Sequence, residues 1–141
     1  MAFFNSKSSV FQLTDSGGTL RNISPYLRGV SGLPGPRDLN DVTALGDTGR
    51  KHIAGLEDVS ITLDLMFSND AAPGIDAVLG GLRGDDTARA FDYGPYGLTG
   101  GFTKYSGTMK LEDYSLNSAV GELVTGSATL RVQGVVTRGT Y

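Results

Sequence analysis

The chain has 141 residues, a formal net charge of −3 and a pI near 5.0, and its size fits a single domain over residues 1–141. Charged residues make up only 19% and are scattered, and cysteine is absent, which excludes a basic stripe for nucleic acid, disulfide scaffolds, thiol catalysis and cysteine-ligated metals. No apolar run is long enough for a signal peptide or a membrane span, so we expect a soluble protein made in a cytoplasm.

The first predicted element is a short β-hairpin. Residues 10–15 read as a strand, and a Ser-Gly-Gly turn at residues 16–18 leads into a second strand over residues 19–23. Residues 24–33 are expected to continue that second strand past Pro25, which cannot donate to a strand ladder. A Pro-Gly-Pro run then ends regular structure.

A long polar segment follows. Residues 35–55 have no period of two or of 3.6, and the large apolar residues among them are isolated: Leu39, Val42, Leu45 and Ile53. Compact domains seldom keep such segments unless they are functional or disordered. Two interpretations stay open for residues 34–56, an exposed, long mobile loop or an arm that docks on a neighbouring subunit.

The clearest strand and the single predicted helix come next. Residues 60–68 alternate in period two, which predicts a strand with one buried face made of Ile61, Leu63, Leu65 and Phe67. Residues 73–82 predict a helix whose apolar stripe is Ile75, Val78, Leu79 and Leu82. Pro73 suits the first helical turn, and the glycines that follow weaken and end the helix.

The C-terminal half predicts further strands. Residues 87–93 form a short strand, and residues 105–116 a longer one with a bulge near Glu112 and Asp113. In residues 122–137 one face is polar and the other is apolar: Ala128, Leu130, Val132, Gly134 and Val136. The pattern indicates an all-β fold with one short helix, an antiparallel β-sandwich or half-barrel of six or seven strands.

No arrangement of residues indicates an active site. The single histidine, His52, has no second cluster of ligand-type residues, whereas zinc needs three or four protein ligands. The adjacent acid pairs point to opposite faces of a strand and cannot form a carboxylate dyad. The glycine-rich runs lack the Lys-Ser/Thr of a P-loop. We therefore expect no enzyme, no metal and no cofactor.

The chain resembles the tail tube (major tail) proteins of siphophages, through the order of several short motifs. A Thr-Ala-Leu-Gly-Asp stretch at residues 43–47 precedes the basic pair Arg50 and Lys51, and Gly-Leu-Glu-Asp at residues 55–58 opens the strong strand. The short helix and a closing strand pair follow in the same order. The resemblance implies the tail tube type of fold, with residues 34–56 as an assembly loop and residues 1–8 and 137–141 as terminal arms.

Proteins of this family form hexameric rings that stack into a hollow tube through which DNA leaves the capsid. The resemblance therefore implies a self-assembling structural subunit of the virion tail, assembled in the host cytoplasm. The implied partners are further copies of the chain, together with tape measure, tail terminator and tail tip proteins. Double-stranded DNA passes without specific binding, and no membrane is involved.

The resemblance also implies candidate surfaces. Subunit and ring contacts are expected at Leu45, Asp47, Arg50, Lys51, Phe3, Phe4, Arg138 and Tyr141. The basic pair is expected to meet Asp85 or Asp86 of a neighbouring subunit. The lumen-facing candidates are Thr62, Asp64, Thr129, Arg131 and Gln133. Arg131 is awkward in a channel that repels DNA, so either it pairs with Asp64 or the face is not luminal.

Several alternatives stay open. A tail terminator or a secretion-system tube ring protein would share the fold, and a terminator should stop at one ring. A carbohydrate-binding β-sandwich predicts a row of exposed Trp or Tyr, but the chain has no Trp. A small β-barrel enzyme needs a clustered set of acids or bases, which the sequence lacks.

Overall fold

The structure is a computed structural model that describes residues 3–71 and 74–141. Short 3-10 helices span Ser6–Ser8 and Ser24–Tyr26. The strands and the helix, in chain order, are β1 (Val10–Thr14), β2 (Leu20–Asn22), β3 (Leu27–Ser31), β4 (Arg37–Asp41), β5 (His52–Glu57), β6 (Ser60–Met66), α1 (Ile75–Leu82), β7 (Arg89–Gly94), β8 (Thr103–Asn117) and β9 (Thr125–Thr140).

Most of the strands belong to one antiparallel sheet. Its order is β2-β1-β7-β8-β9-β6-β3, while β4 and β5 pair with each other in a separate two-stranded ribbon. The sheet does not close into a barrel, because its edge strands β2 and β3 do not pair with each other, and a groove of about 730 Å³ lies between β1 and β3. This architecture confirms the predicted all-β class, an antiparallel half-barrel with one short helix.

The core lies on one face of this sheet, beneath α1. On β6 the side chains of Ile61, Leu63 and Leu65 are fully buried, whereas Thr62 and Asp64 are exposed, which confirms the predicted period. The predicted stripe of α1 is also buried, and burial of each such aliphatic side chain contributes roughly 1.5–3 kcal/mol. Pro73, predicted for the first helical turn, lies outside the described residues.

The two longest strands, β8 and β9, form a bent hairpin. Its register shifts between Leu111 and Asp113, which confirms the predicted bulge near Glu112. A second shift sets residues 134–136 of β9 against Gly107 alone. Strand β9 pairs with β6 along residues 125–131 and with β8 along nearly its whole length, so its C-terminal half projects beyond β6.

Two predictions about the N-terminal half are wrong. Residues 24–33 do not extend the second strand, because Pro25 lies at the start of a 3-10 helix and β3 then pairs with β6 at the opposite edge of the sheet from β2. Residues 35–55 are not irregular throughout, since they contain β4 and β5. Neither of those strands buries a face and their register shifts near Leu39, so the hydrophobic period that reveals a strand is absent.

Candidate assembly surfaces

The β4–β5 ribbon exposes large apolar side chains. They are Leu39, Val42, Leu45, Ile53 and Leu56, and Leu45 at the tip is as accessible as in an unfolded chain. Strand β4 is exposed along its whole length. An isolated two-stranded ribbon is at best marginally stable in water, and this one exposes large apolar side chains on both of its faces. The ribbon is therefore the first candidate surface for assembly.

The tip of the ribbon has internal order on its β4 side. One carboxylate oxygen of Asp41 accepts the backbone N–H of Thr43 at 2.8 Å, and the other accepts the guanidinium of Arg50 at 2.9 Å. The hydrogen bonds from Thr43, with that from Arg50, hold the pKa of Asp41 below its usual value. The Lys51 backbone N–H in turn donates to the Thr43 hydroxyl at 2.9 Å.

Asp47 organises the other side of the tip. Its carboxylate accepts the backbone N–H of Ala44 at 2.8 Å and lies 2.9 Å from the Lys51 ammonium. The backbone hydrogen bond from Ala44, followed by the bond from Lys51, lowers the pKa of Asp47. Both members of the basic pair are thus occupied within the ribbon, and Leu45 is left as the feature that the tip presents outward.

The acids that were expected to meet the basic pair have partners of their own. Asp85 lies 2.9 Å from Arg89, and Asp86 lies 3.1 Å from Lys110. Within the subunit, Asp85, Asp86 and the basic pair are therefore each paired locally, and the contact between subunits stays a prediction.

A charge cluster lies where the ribbon joins the sheet. The guanidinium of Arg131 on β9 lies 2.9 Å from Asp58, between β5 and β6, and 3.2 Å from Glu112 at the bulge of β8. Bonds to Glu112 and then Asp58 raise the pKa of Arg131. Asp64, the partner expected for a luminal Arg131, does not pair with it, because Asp58 and Glu112 supply the compensating charge; whether this face is luminal stays a prediction. Arg131 thus ties the base of the ribbon to two strands of the sheet.

The predicted lumen residues lie together on the sheet face opposite the core. Thr62 is directly across from Thr129, and the register places Asp64 opposite Ser127 on the same pair of strands. The remaining two members follow along β9, Arg131 across from Ser60 and Gln133 across from Thr108 of β8. Because its two acids neutralise Arg131, this polar face has no isolated cation at that position.

Near the N-terminus two phenylalanines lie at the surface. Phe3 is 87% exposed, and the ring of Phe4 packs at 4.0 Å between centroids against Tyr96 in the β7–β8 loop. Tyr96 in turn contacts Phe102 at 4.6 Å. Phe4 is therefore part of an aromatic cluster, while Phe3 remains fully available.

The C-terminal residues are packed onto the sheet within the subunit, and their predicted role as an arm between rings stays a prediction. Residues 137–140 belong to β9, with Arg138 directly across from Tyr105 of β8. The Tyr141 hydroxyl donates to buried Asp92 at 2.9 Å, and its backbone N–H donates to the Phe102 carbonyl at 3.0 Å. Burial, together with the neighbouring Asp92, raises the pKa of Tyr141.

Two further features of the described residues concern the binding of a metal ion and the crossing of a membrane. Among residues 3–71 and 74–141 no group of three His, Asp or Glu side chains is arranged to hold a metal ion. His52 is exposed at the start of β5. Within the same ranges no helix combines the length and the apolar character needed to cross a membrane.

Sequence reasoning missed some of the residues that form these surfaces. Leu39, Val42, Ile53 and Leu56 are further exposed apolar side chains of the ribbon, on both of its faces, and Val120 and Leu123 are exposed in the β8–β9 turn. The signal available was an isolated large apolar residue in a polar run, which is weak because single exposed apolar residues are common on protein surfaces. The charge partners of Arg131 depend on strand pairing and have no local signal.

A curled antiparallel sheet with one packing helix and an exposed ribbon defines the class of fold, and solved structures identify it further. No protein-family model matches the chain, and no curated protein matches its sequence. A chain from the tail of an empty gene transfer agent particle, refined with C6 symmetry, matches with a TM-score of 0.78 and 16% identity, over 97% of this chain and 99% of that one. A chain from the anti-feeding prophage tube terminating cap matches with a TM-score of 0.70 and 9% identity, over 100% and 93%.

A third match comes from the sheath–tube complex of an extracellular contractile injection system in its extended state. Its TM-score is 0.68 with 12% identity, over 99% of this chain and 93% of that one. The chain thus has the fold of phage tail tube proteins, shared with tube components of phage-like particles and contractile injection systems. The resemblance in sequence is confirmed at the level of the fold.

Proposed function

We propose that this chain is the subunit of the tail tube of a long-tailed phage. Copies of it form hexameric rings, and the rings stack into a hollow conduit for DNA in the virion tail. The proposal depends chiefly on one observation, the β4–β5 ribbon, whose apolar side chains have no covering element in the described part of the chain. The C6 symmetry of the gene transfer agent tail supports six subunits per ring.

The ribbon fits contact between subunits better than any role within one subunit. Its tip is held by its own hydrogen bonds, so it projects as a formed element with Leu45 foremost. Each fully buried leucine or isoleucine gains roughly 1.5–3 kcal/mol, so several such residues on one ribbon provide a substantial driving force for association. We place the candidate contacts of Leu45, Asp47, Arg50 and Lys51 at this interface.

Ring closure uses strand edges. Strand β9 is paired with β6 only as far as residue 131, and β8 is paired with β7 only over residues 105–109. Residues 133–140 and 110–117 therefore each keep one edge without a neighbouring strand among the described residues. Open edges of this length are a template for pairing with another chain. A head-to-tail contact that uses two different edges closes into a ring by rotation.

The polar face becomes the lumen in this assembly. Thr62, Asp64, Thr129, Arg131 and Gln133 line it. The neutralised charge of Arg131 favours passage of DNA, because each phosphate contact would add affinity and slow release. Tape measure, tail terminator and tail tip proteins are the further partners of such a tube, and assembly would take place in the host cytoplasm.

Negative-stain electron microscopy of the purified protein over a concentration series tests the proposal. We expect rings or hollow tubes from the natural chain. Leu45→Asp places a charge on the ribbon tip without touching the core, so it should abolish assembly and leave a folded monomer. The matched control is Ala77→Asp, which adds the same charge to the exposed side of α1 and should assemble normally.

A natural chain that stays monomeric at every concentration and salt condition would overturn the proposal. Assembly of Leu45→Asp at the concentration that suffices for the natural chain would show that the ribbon is not the contact. The tail terminator alternative is favoured by the likeness to a tube terminating cap, and it predicts single rings that never lengthen into tubes.

A further inference from the structure

The two ends of the β8–β9 hairpin differ in charge and in the kind of apolar residue that they expose. We infer that rings stack in one direction only, with the basic, aromatic end of one copy seated on the acidic, aliphatic end of a second copy in the next ring. This inference rests on the proposed tube function and names the two surfaces that meet. The strands separate these ends by up to roughly 45 Å.

The basic end is formed where β8 begins and β9 finishes, by residues 3–9, 94–104 and 138–141. These segments carry Lys7, Lys104 and Arg138 and contain no acid. They are held together by the Phe4–Tyr96–Phe102 cluster and by the bond from Ser9 to the Pro95 carbonyl at 2.7 Å. Phe3, Phe4 and Leu98 leave apolar surface exposed there.

The acidic end lies at the other extreme of the hairpin and comprises residues 67–71, 74–76 and 114–124. Its charges are Asp70, Asp76 and Glu122, and these segments contain no cation. They are tied together by the bond from Tyr114 to Asp76 at 3.0 Å and by the bond from the Phe67 N–H to the Val124 carbonyl. The nearest cation in the strand register is Arg28, on β3 beside Leu27.

Exposed aliphatic groups surround the one acid in the turn of the acidic end. Val120 and Leu123 flank Glu122, and Val120 is completely exposed. A solvated turn has no need of two large apolar side chains, whereas a contact surface does. The negative charge of Glu122 favours a basic partner, and the exposed aromatic residues of the basic end can pack against Val120 and Leu123.

A second copy of this chain is the occupant that fits both ends. Opposite charges attract across a basic-to-acidic contact, while two basic ends or two acidic ends repel each other, which excludes inverted stacking. Because the contact joins two different surfaces, it does not close on itself and extends indefinitely along one axis. The charges thus set the direction of the tube, and the apolar residues supply adhesion.

Charge-swap variants test this inference in the full chain. Lys7→Glu or Glu122→Lys alone places like charges at every stacking contact. Each should raise the concentration needed for tubes at least about tenfold, because the change is repeated in every subunit of a ring. The double variant with both swaps restores opposite charges at each contact and should recover tubes. The control, Arg83→Glu, reverses a charge on an exposed residue that belongs to neither end.

Ring formation and ring stacking are read separately, by mass photometry for rings and electron microscopy for tubes. Single swaps that yield rings without tubes, with recovery in the double variant, are the expected result. Single swaps that form tubes as the natural chain does would overturn the inference and leave the tube function standing. Failure of the double variant to recover would overturn the charge pairing, and a natural chain without rings or tubes would overturn both proposals.

Discussion

At the scale of single residues, two glycines fix the position at which the ribbon leaves the sheet. Gly32 has a φ of +100°, and a Cβ at this position would collide with the backbone carbonyl of Ser60. Gly35 is similarly close to the buried side chain of Val59. Side chains rarely adopt this left-handed region, so both the conformation and the space require glycine. On the other side of the junction, Arg131 holds Asp58, so the base of the ribbon is fixed twice.

Gly32→Ala should therefore lower the free energy of unfolding by about 1–3 kcal/mol, through steric conflict and backbone strain. The matched control is Gly46→Ala at the ribbon tip, where φ is not positive and nothing lies within 4 Å of the added carbon. That control should change stability by no more than about 0.5 kcal/mol. Urea unfolding of both variants measures the difference, and equal midpoints would contradict the close packing of the ribbon base.

At the scale of the element, the order of the ribbon tip depends on two ionised acids. The pKa values of Asp41 and Asp47 are both lowered in the folded protein, first by hydrogen bonds from Thr43 and Ala44 respectively. A depressed folded pKa contributes stability above the unfolded value near 3.9, and that contribution is lost as the pH falls through the lower folded value. The tip should therefore keep its order from neutral pH down to about pH 5 and loosen below about pH 4.

Amide hydrogen exchange at Thr43 and Ala44 measures this loosening, with the Leu63 amide in the core as a reference for global stability. The double variant Asp41→Asn, Asp47→Asn removes both titrating groups. In this variant, the protection of the Thr43 and Ala44 amides should change with pH no more steeply than that of the Leu63 amide. Asp38→Asn on the same ribbon serves as the control and should keep the acid-dependent step. If tip and core amides lose protection together in the natural chain, the tip has no acid-sensitive order of its own.

Elements with a buried face could be predicted from the sequence, whereas the two strands of the ribbon could not. Strand β6 was predictable because one of its faces is buried, so its apolar residues Ile61, Leu63 and Leu65 alternate with polar ones. The helix was predictable for the same reason. Strands β4 and β5 have no buried face within the subunit, so their apolar and polar residues do not alternate. A segment whose apolar residues are covered only in an assembly looks like a loop from sequence alone.

Long-range pairing is the other part that sequence could not supply. The sequence could place the five polar residues on one face of the sheet, because alternation along β6 and β9 assigns each residue to a face; that this face lines a lumen stays a prediction. The partner of Arg131 could not be predicted, since Asp58 and Glu112 come near it only through the pairing of β6, β9 and β8. The pairing of residues 137–140 with β8 likewise joins residues far apart in the chain and has no local signal in the sequence.

At the scale of the whole molecule, the fold has two sides that an assembled tube would place differently. Thr62 lies on the polar face of the sheet, and Ala77 lies on the outward side of α1; both are exposed in the subunit. The core separates the two positions. If the polar face lines the lumen, a tube hides Thr62 from large solutes and leaves Ala77 on the outside.

The absence of natural cysteine makes this distinction measurable, because one introduced thiol is then the only one in the protein. Thr62→Cys should react with a maleimide attached to a polymer wider than the bore when the protein is monomeric, and should be protected once tubes have formed. Ala77→Cys should react in both states, since thiol labelling follows exposure. A small maleimide that enters the bore should label Thr62→Cys even in tubes, which separates a lined channel from a buried subunit contact. Protection of Ala77→Cys with free labelling of Thr62→Cys would mean that the helix side faces inward and that the polar face is the outer surface of the tube.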